Sequence, residues 1–539
     1  MRYFILFLII VAPFFHEAQL SAQPIKAPMF GNDITIKDES NLDQRNVNVC
    51  AAPNGWLYSC YWNPIENGFT YYILKSTDNG ISWTELTSMN YPNTIMYLTD
   101  MEIIACGTDE SNIKVFLGLV FTVDPGHWDQ GIVVRFSGVT GEFEDEILHD
   151  QQDDIHDFAL ASDFPHQVGN TNPYSIAVLY SKTYAWWNHD ELVFCSSSDG
   201  GQSFDHRQVI LSSETFDLYH VDLSYAWSPA KNSGRYYAVW EEKPGLLDPT
   251  GHIYTAHSEP NYNSPFSLPI NLDSLIPSAI NKCSLPTIAC QVDETENESS
   301  DITQVVLSEF QSPQPGTCKI IGWYNKESTY STGFSPFILS DSTQYSSEPD
   351  IAYNSNDNTF MMTFFDSTTH RLPYMLNDLN LTTPSNWNLI SEGYNDLTDI
   401  HAPYPVIKMN HSQGSGINVW VMDNENDNGV ALFDAVLSTY NSNSEFTQNP
   451  QRLNIALFPN PCTSNITIQV YSEQAGSMSI LIYNNLGQDI QNYSKISYHQ
   501  GMNTITLDLS SFHNGCYLLR IEGLYKPFQS RILKMNTSH

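Results

Sequence analysis

Carboxylates at predicted strand ends are the residues of this sequence best suited to chemistry. Glu241 and Glu242 directly follow the apolar stretch 236–240, and Asp366 follows the stretch 360–365. Two carboxyl groups around a glycosidic bond are enough to hydrolyse it, one acting as an acid and the other as a base or nucleophile. The chain has 60 aspartates and glutamates, so such pairs arise easily by chance. We therefore predict that these three are solvated turn residues and name no catalytic residue.

Two acidic segments have the oxygen-rich composition of a cation site. Residues 423–429 place Asp and Asn oxygens at alternate positions, as calcium loops do, but lack the glutamate that closes an EF-hand loop. Residues 149–157 mix His149, His156 and four aspartates without the fixed spacing of a metal site. We interpret the first segment as a hairpin turn and the second as an acidic connection between repeats. We predict no cofactor, and calcium stays open at 423–429.

A short aromatic segment could bind a ligand. Tyr184, Trp186 and Trp187 lie in an interrupted stretch where a loop is predicted. Exposed aromatic rings can stack on sugar rings, whereas packing against a neighbouring repeat is the alternative. We predict that these three residues contact a ligand.

A strand pattern that recurs along the chain must position these residues. Copies of a Pro-x-Ile core start at residues 286, 349 and 405, and weaker copies start at 47, 101, 156 and 221, at intervals of 54 to 65 residues. Runs rich in aromatic and β-branched residues follow, as strands prefer. Such a period is typical of propeller blades. The sequence predicts an all-β propeller of about seven blades over residues 23–440, with six or eight as alternatives.

Two turns share the pattern Ser-x-Asp-x-Gly-x-x-(Trp/Phe). Their residues are Ser76, Asp78, Gly80 and Trp83 in one turn, and Ser197, Asp199, Gly201 and Phe204 in the other. A short Asp can accept hydrogen bonds from turn amides, and Gly permits a positive φ. The turns resemble Asp-boxes, the hairpin motif of sialidase-like propellers. The resemblance implies a structural role for the aspartates.

The same resemblance raises the possibility of a sialidase, which grips the carboxylate of its substrate with three arginines and uses a tyrosine nucleophile assisted by a glutamate. The Arg-Ile-Pro segment that usually marks the first arginine is missing. Between the signal peptide and Pro450 the arginines are Arg45, Arg135, Arg207, Arg235 and Arg371. Arg135 and Arg207 lie beside predicted turns, which leaves only Arg45, Arg235 and Arg371, too few to supply a central triad comfortably. We predict that the protein is not a sialidase and lean against an enzyme.

Charge and cysteine content limit the partners further. Acidic residues outnumber basic ones by 37, which excludes binding to a phosphate backbone and favours cations or neutral glycans. The nine cysteines include no C-x-x-C pair. Cys50 with Cys60, or Cys290 with Cys318, could form disulfides on neighbouring strands, and buried free thiols are the alternative.

The N-terminus has the pattern of a cleavable export signal. Residues 3–15 form an apolar run after Arg2, and the small residues of 18–22 suit cleavage. The run is too short to span a membrane, and no later segment reaches the required length. We predict a signal peptide over residues 1–22 and no transmembrane segment.

The C-terminus has a different pattern of short alternating strands, after a polar linker at 441–452, which predicts a small β-sandwich over residues 453–539. The residues that punctuate it are Pro459, Asn460, Pro461, Gly487, Gly515 and Lys534. In this order they resemble the type IX secretion C-terminal sorting domain of Bacteroidetes-type bacteria. The resemblance implies contact with the type IX machinery, export, removal of the domain, and release or attachment to the cell surface. An ordinary sandwich that binds a ligand is the alternative.

These patterns predict a secreted or surface-attached protein whose propeller binds a glycan or a protein. The alternative is a glycoside hydrolase or lyase of the sialidase-like class. That alternative requires charged residues from several blades to meet at one end of the central channel.

Overall fold

A computed structural model gives the fold. It describes residues 33–37, 43–66, 68–92, 97–107, 110–122, 129–150, 154–163, 174–184, 189–204, 206–228, 233–244, 251–258, 265–276, 283–291, 303–311, 318–326, 333–339, 346–354, 359–378, 387–391, 395, 404–410, 415–423, 429–437, 455–458, 462–472, 476–484, 489–499, 501–522 and 528–534. The chain divides into two compact units, with the boundary between Ser438 and Thr439.

The first unit is built almost wholly from strands. They are β1 Ile34–Thr35, β2 Arg45–Ala51, β3 Leu57–Ile65, β4 Gly68–Ser76, β5 Thr84–Pro92, β6 Tyr97–Cys106, β7 Lys114–Thr122, β8 Asp129–Ser137, β9 Phe143–Asp150, β10 Asp154–Ser162, β11 Ile176–Tyr184, β12 His189–Ser197, β13 His206–Ser213, β14 Asp217–Ser228, β15 Ser233–Lys243, β16 His252–His257, β17 Ile270–Asn271, β18 Cys283–Cys290, β19 Thr303–Gln311, β20 Cys318–Lys326, β21 Ser335–Ile338, β22 Ser346–Asn354, β23 Thr359–Asp366, β24 Tyr374–Asp378, β25 Asn388–Ser391, β26 Val406–Asn410, β27 Ser415–Asp423 and β28 Gly429–Leu437. One 3₁₀ turn, Asp273–Leu275, follows β17. Among the described residues, no helix is long and apolar enough to cross a membrane.

These strands form a β-propeller. In the described part of the unit they make seven four-stranded sheets, and six of these join consecutive strands from β2–β5 to β22–β25. The first strands, β2, β6, β10, β14, β18, β22 and β26, are neighbours in a closed ring, because β26 also lies against β2. Each predicted repeat start lies in, or directly before, one of these strands.

The seventh sheet is completed by the N-terminus. Its strand order is β26-β27-β28-β1, so β1 supplies the outermost strand. Gln44 reinforces this closure, because its N–H donates to the oxygen of Gly429 at 2.9 Å and its side-chain Oε1 accepts from the N–H of Ala431 at 2.6 Å. The closure therefore links the two ends of the propeller sequence through backbone pairing.

Apolar side chains between neighbouring sheets form the core. Tyr71 of the first sheet and Phe136 of the second meet edge to face, with ring centroids 6.5 Å apart. The second and third strands of each sheet face neighbours on both sides, which explains their continuous apolar runs. Trp240, Trp323 and Trp420 are examples of fully buried residues on these strands.

The second unit is a small β-sandwich. Its strands are β29 Ile455–Phe458, β30 Asn465–Ser472, β31 Gly476–Tyr483, β32 Asp489–Tyr498, β33 Gly501–Asp508, β34 Gly515–Glu522 and β35 Phe528–Lys534. They form one sheet of order β29-β30-β33 and another of order β32-β31-β34-β35. Alternating residues such as Ile466, Ile468, Ile480 and Ile482 bury one face of each sheet in a shared core.

The two Ser-x-Asp-x-Gly turns join the third and fourth strands of their sheets. In the first turn, Ser76 Oγ donates to Asp78 Oδ1 at 2.8 Å, and Asp78 accepts from the N–H and the hydroxyl of Ser82. Asp199 makes the same set of contacts with Ser197 and Ser203 in the second turn. These hydrogen bonds outweigh desolvation and hold the pKa of Asp199 at about 2. Both aspartates thus make the contacts of a turn brace.

We expect Gly80→Ala to destabilise the propeller by about 2–4 kcal/mol, measured by chemical unfolding of the full chain. Gly80 has a φ of 86°, and a Cβ at this position would overlap the ring of Phe433 in the seventh sheet. The exposed neighbour Ile81 is the matched control, and Ile81→Ala should change the free energy of unfolding by less than about 0.5 kcal/mol. Equal effects of the two substitutions would contradict the proposed contact.

Candidate functional site

Several titratable and aromatic side chains lie at one end of the propeller channel. In an antiparallel sheet of consecutive strands, the start of the first strand and the end of the second lie at the same end. The pairing of the first two strands shifts register just before Asn48, Asp100, Asp157, Asp222, Thr287 and Asp350. We call this the bulge end. The turns at Asp78 and Asp199 lie at the opposite end.

Strained backbone accompanies these bulges. In four sheets a non-glycine residue with positive φ lies two positions before the residue that follows the register shift: Asn46 at 48°, His220 at 48°, Leu285 at 50° and Glu348 at 53°. In the seventh sheet, Tyr404 at 43° lies two positions before Val406, which occupies the same place in its repeat. Such conformations are costly and tend to occur where side chains must be aimed. The side chains of His220 and Glu348 and the backbone N–H of Tyr404 make the contacts described next.

His220 presents an oriented imidazole at the bulge end. Its Nδ1 lies 2.5 Å from Glu241 Oε2, and since a carboxylate can only accept, Nδ1 carries the proton and Nε2 is left as the second ring nitrogen. The N–H of His220 donates to Asp157 Oδ2 at 2.6 Å. Burial lowers the pKa of His220, but the hydrogen bond to Glu241 and the charges of Asp157 and Glu241 outweigh it and raise the pKa.

Glu241 is buried behind this imidazole. Its side chain is 0% exposed, and Lys243 Nζ lies 3.1 Å from its Oε1 as an ion pair. A Cβ at Gly251 would overlap this carboxylate, so the glycine leaves the space that Glu241 fills. The prediction that Glu241 is solvated was therefore wrong. Because Glu241 is fully buried it does not contact a ligand, and it fixes the orientation of His220 and raises the pKa of that imidazole.

Three further residues continue the cluster across the next sheets. Glu309 Oε1 accepts from the N–H of Glu348 at 2.6 Å, and Glu348 Oε2 accepts from the N–H of Tyr404 at 3.0 Å. Burial raises the pKa of Glu348 to about 7 and the charge of Glu309 adds to this, although the hydrogen bond from Tyr404 lowers it. Burial also raises the pKa of Glu309, while the nearby charge of His220 lowers it.

Tyr404 is the exposed aromatic of this group. It is 60% exposed, directly precedes β26, and is held by Glu348. Desolvation and the charges of Glu348 and Glu309 raise the pKa of its phenol. We call His220, Glu241, Glu309, Glu348 and Tyr404 the bulge-end cluster; its members come from four consecutive sheets.

A second histidine lies beside the cluster. The Thr183 hydroxyl donates to Asp190 Oδ1 at 2.5 Å and therefore accepts from His156 Nε2 at 2.6 Å. The ring of Tyr219 lies 5.0 Å from that of His156. The prediction that residues 149–157 are only a connection between repeats was wrong for Asp154, His156 and Asp157, which lie in the innermost strand β10, and for His149 and Asp150, which end β9.

Deeper in the channel, carboxylates tie the sheets together. Asp100, Asp222 and Asp350 each accept from the N–H of the next residue and from an N–H of a neighbouring sheet, those of Phe158, Ile288 and Ile407 respectively. Desolvation lowers the pKa of Lys408, but the charges of Asp350, Glu102 and Asp222 outweigh it and raise the pKa. The three aspartates are structural, because backbone N–H groups donate to their carboxylate oxygens.

Of the three predicted ligand-binding aromatics, the structure describes Tyr184. Tyr184 ends β11 at the bulge end, half-buried, with Lys182 Nζ 4.3 Å from its ring centroid. Trp186 and Trp187 lie outside the described residues. Binding by these three residues stays a prediction.

Other predicted features differ from expectation. Glu242 is buried and accepts from Trp240 Nε1 at 3.1 Å. Asp366 is buried, and its oxygens accept from Thr368 and Thr369, so it braces a turn without being solvated. Among the described cysteines no disulfide forms, and Cys50, Cys60, Cys290 and Cys318 are buried thiols. Disulfide pairing of these four was wrong.

Metal ligands are not grouped in the described part of the chain. No set of three His, Cys, Asp or Glu residues there is placed to hold a metal ion. Residues 424–428 of the calcium-like segment lie outside the described residues. The interpretation of that segment as a hairpin turn, with calcium left open, stays a prediction.

Sequence comparison identifies the second unit. Residues 456–534 match the model of the secretion system C-terminal sorting domain. The second unit is a type IX secretion sorting domain. The protein is therefore secreted or attached to the outer surface of the outer membrane.

The described motif residues of the sorting domain lie together. Gly515, which begins β34, pairs in register with Lys534, the last residue of β35. Lys534 is buried, and it also forms a parallel bridge with Cys462. Pro459, Asn460, Pro461 and Gly487 lie outside the described residues.

The solved structures that match this chain include the following three. An α-L-arabinofuranosidase from Fusarium graminearum is 10% identical, with a TM-score of 0.42 over 76% of this chain and 98% of that one. A protein of unknown function from Dyadobacter fermentans is 8% identical, with a TM-score of 0.41 over 76% and 98%. PorZ, a surface component of the type IX secretion system of Porphyromonas gingivalis, is 8% identical, with a TM-score of 0.27 over 90% and 81%. No curated protein matches the sequence.

Proposed function

We propose that this exported protein binds a neutral glycan at the bulge-end cluster of its propeller. The observation that carries the proposal is Tyr404, an aromatic residue that is 60% exposed and held by Glu348 beside Glu309. A sugar ring can stack on such an aromatic face while its hydroxyls donate to neighbouring carboxylates. The excess of 37 acidic residues disfavours anionic glycans and leaves neutral ones. A protein ligand remains the alternative occupant.

We expect Tyr404→Ala to weaken glycan binding about 30-fold, the loss typical of a central aromatic contact. Affinity electrophoresis of the full chain through gels containing xylan, arabinan, galactomannan or β-glucan measures it. Tyr404→Phe should retain most of the affinity, because the stacking face is preserved.

Leu268 provides the matched control. It is 87% exposed and lies between β16 and β17, at the end of the propeller opposite the bulge end. Leu268→Ala should migrate like the unaltered chain. The proposal fails if none of the four polysaccharides retards the chain, or if Tyr404→Ala is retarded as strongly as the unaltered protein.

Hydrolysis of the bound glycan is a second candidate, favoured by one observation. Glu348, whose pKa lies at about 7, keeps a proton on part of the molecules at neutral pH, as a general acid must. Convergence of charged groups from several sheets at one channel mouth is what the enzyme alternative requires. None of the five residues of the bulge-end cluster is an arginine. That the protein is not a sialidase stays a prediction.

A further inference from the structure

Hydrolysis at the bulge-end cluster would need a base as well as an acid. Glu348 can supply the acid, because only its Oε2 is committed to the N–H of Tyr404. An inverting reaction then needs a second group that removes a proton from the attacking water. The neighbouring carboxylates are the first candidates to consider.

Neither nearby carboxylate is suited to act as that base. Glu309 uses Oε1 for the N–H of Glu348 and Oε2 for the Cys318 thiol at 3.4 Å, so both oxygens are occupied. Glu241 is fully buried and paired with His220 and Lys243. A group that water cannot reach cannot deprotonate it.

His220 has the geometry that these carboxylates lack. Its side chain is 33% exposed, whereas the Glu241 carboxylate behind it is 0% exposed. The short Nδ1 contact with Glu241 fixes the tautomer, so that the neutral ring has a free lone pair on Nε2. The strained backbone of His220, held by Asp157, aims the ring at the bulge end.

We propose that His220 is the general base of a glycoside hydrolase reaction in this propeller, with Glu348 as the general acid; this rests on glycan binding at the same cluster. His220 Nε2 takes a proton from water, and the water oxygen bonds to the anomeric carbon. The bond from that carbon to the leaving oxygen breaks, and this oxygen receives the Glu348 proton. Solvent later carries the proton from His220 back to Glu348. The substrate is a neutral glycoside, and its anomeric configuration inverts.

The reaction needs a neutral His220 and a protonated Glu348 at the same time. The charged groups that act on His220 lie on several strands around it: Asp100, Asp157, Glu241, Lys243 and Glu309. The activity should therefore follow a bell-shaped curve with its maximum near neutral pH. Glu241→Gln removes the negative charge next to Nδ1 and should move the acidic limb to lower pH. A purely structural role for Glu241 would leave that limb in place.

The experiment incubates the full chain with xylan, arabinan, galactomannan or β-glucan and measures released reducing ends. His220→Gln should lower kcat at least 100-fold and change KM less than about threefold, as expected for the loss of a general base. Glu348→Gln should also lose activity on polysaccharide. It should keep more of it on 4-nitrophenyl glycosides, whose leaving group needs little acid assistance. His220→Gln should lose both. His206→Gln, in the outer strand β13, is the matched control and should behave like the unaltered protein.

The outcomes separate this inference from the proposed function. A chain that binds one polysaccharide but releases no reducing ends between pH 5 and 8 overturns the catalytic inference and leaves glycan binding intact. Unchanged kcat in His220→Gln also overturns it, as does retention of configuration in the product by NMR. A chain that binds none of the four overturns both.

Discussion

Deletion of residues 451–539 is expected to stop export and leave the propeller in the periplasm. The sorting domain lies at residues 456–534, and the described residues of its apolar core, such as Ile480 and Ile521, belong to its own unit. The propeller closes its own ring through β1, so the truncated chain keeps all seven described sheets. It should therefore accumulate folded, without reaching the medium or the cell surface. Immunoblots of periplasm, outer membrane and medium measure the distribution.

A point substitution separates loss of the sorting domain from loss of chain length. Ile480 is fully buried in β31, and Ile480→Asp should abolish export as the deletion does, because a charge in the core of a small sandwich unfolds it. Leu518 in β34 is exposed, and Leu518→Ala should leave export at the level of the unaltered chain. Finding the truncated propeller outside the cell in normal amount would contradict the assigned role of the sorting domain.

The propeller could be predicted because each sheet repeats the same local pattern. An apolar first strand and a continuous apolar second strand are properties of adjacent residues, and Pro349 with Ile351 is as visible in sequence as in β22. The sorting domain could be recognised for the same reason, from the order of its turns. Such signals require no knowledge of which sheet contacts which.

The bulge-end cluster could not be predicted, because the packing of successive sheets around the channel assembles it. His220, Glu309, Glu348 and Tyr404 are spread over 184 residues of sequence, and each is an unremarkable polar or aromatic residue in its own segment. A positive φ at His220 or Tyr404 has no glycine to signal it. One signal was present in the sequence. His220, Glu348 and Tyr404 each lie two positions before Asp222, Asp350 and Val406, which occupy the same place in their repeats. Aligning the repeats on Asp222 and Asp350 would have brought them together.

For Glu241 the sequence predicted the position at a strand end correctly but predicted solvent exposure, whereas the side chain is buried. Its place at a strand end was visible, and charged residues at strand ends are usually solvated. Glu241 is buried because Gly251 leaves room for its carboxylate and because His220 and Lys243 pair with it. These neighbours belong to other strands or to the end of the same strand, and their convergence depends on the register of the sheet.

The channel carboxylates should make the propeller less stable as the pH rises from 5 to 8. Burial raises the pKa of Glu102 to about 8, even though the charge of Lys408 lowers it, and burial raises that of Asp100 to about 7. Thr287 supports a retained proton: its single hydroxyl proton lies between Asp222 Oδ2 at 2.9 Å and Asp350 Oδ1 at 3.1 Å, so both contacts are hydrogen bonds only if one carboxyl is protonated. The folded state then binds more protons than the unfolded chain above about pH 4.5. Stability therefore falls as pH climbs toward the folded values, by several kcal/mol in total, since each pH unit between the unfolded and folded pKa of one carboxyl is worth about 1.4 kcal/mol.

Lys408→Met should enlarge this effect and gives the last prediction. The pKa of Lys408 is raised, so the lysine is charged in both the folded and the unfolded chain from pH 5 to 8, and any change of its contribution in that range comes from titration of the carboxyls around it. Removing the ammonium leaves Asp350 and Glu102 without their cation, so Lys408→Met should cost about 3 kcal/mol at pH 8. At pH 5 the loss should be much smaller, because the carboxyls take up protons and no longer need the charge. Glu102→Gln should do the opposite, stabilising the chain at pH 8 and flattening the pH dependence. Chemical unfolding at both pH values measures all three chains, and a loss in Lys408→Met that is the same at pH 5 and pH 8 would show that the lysine stabilises the channel by packing and not by charge.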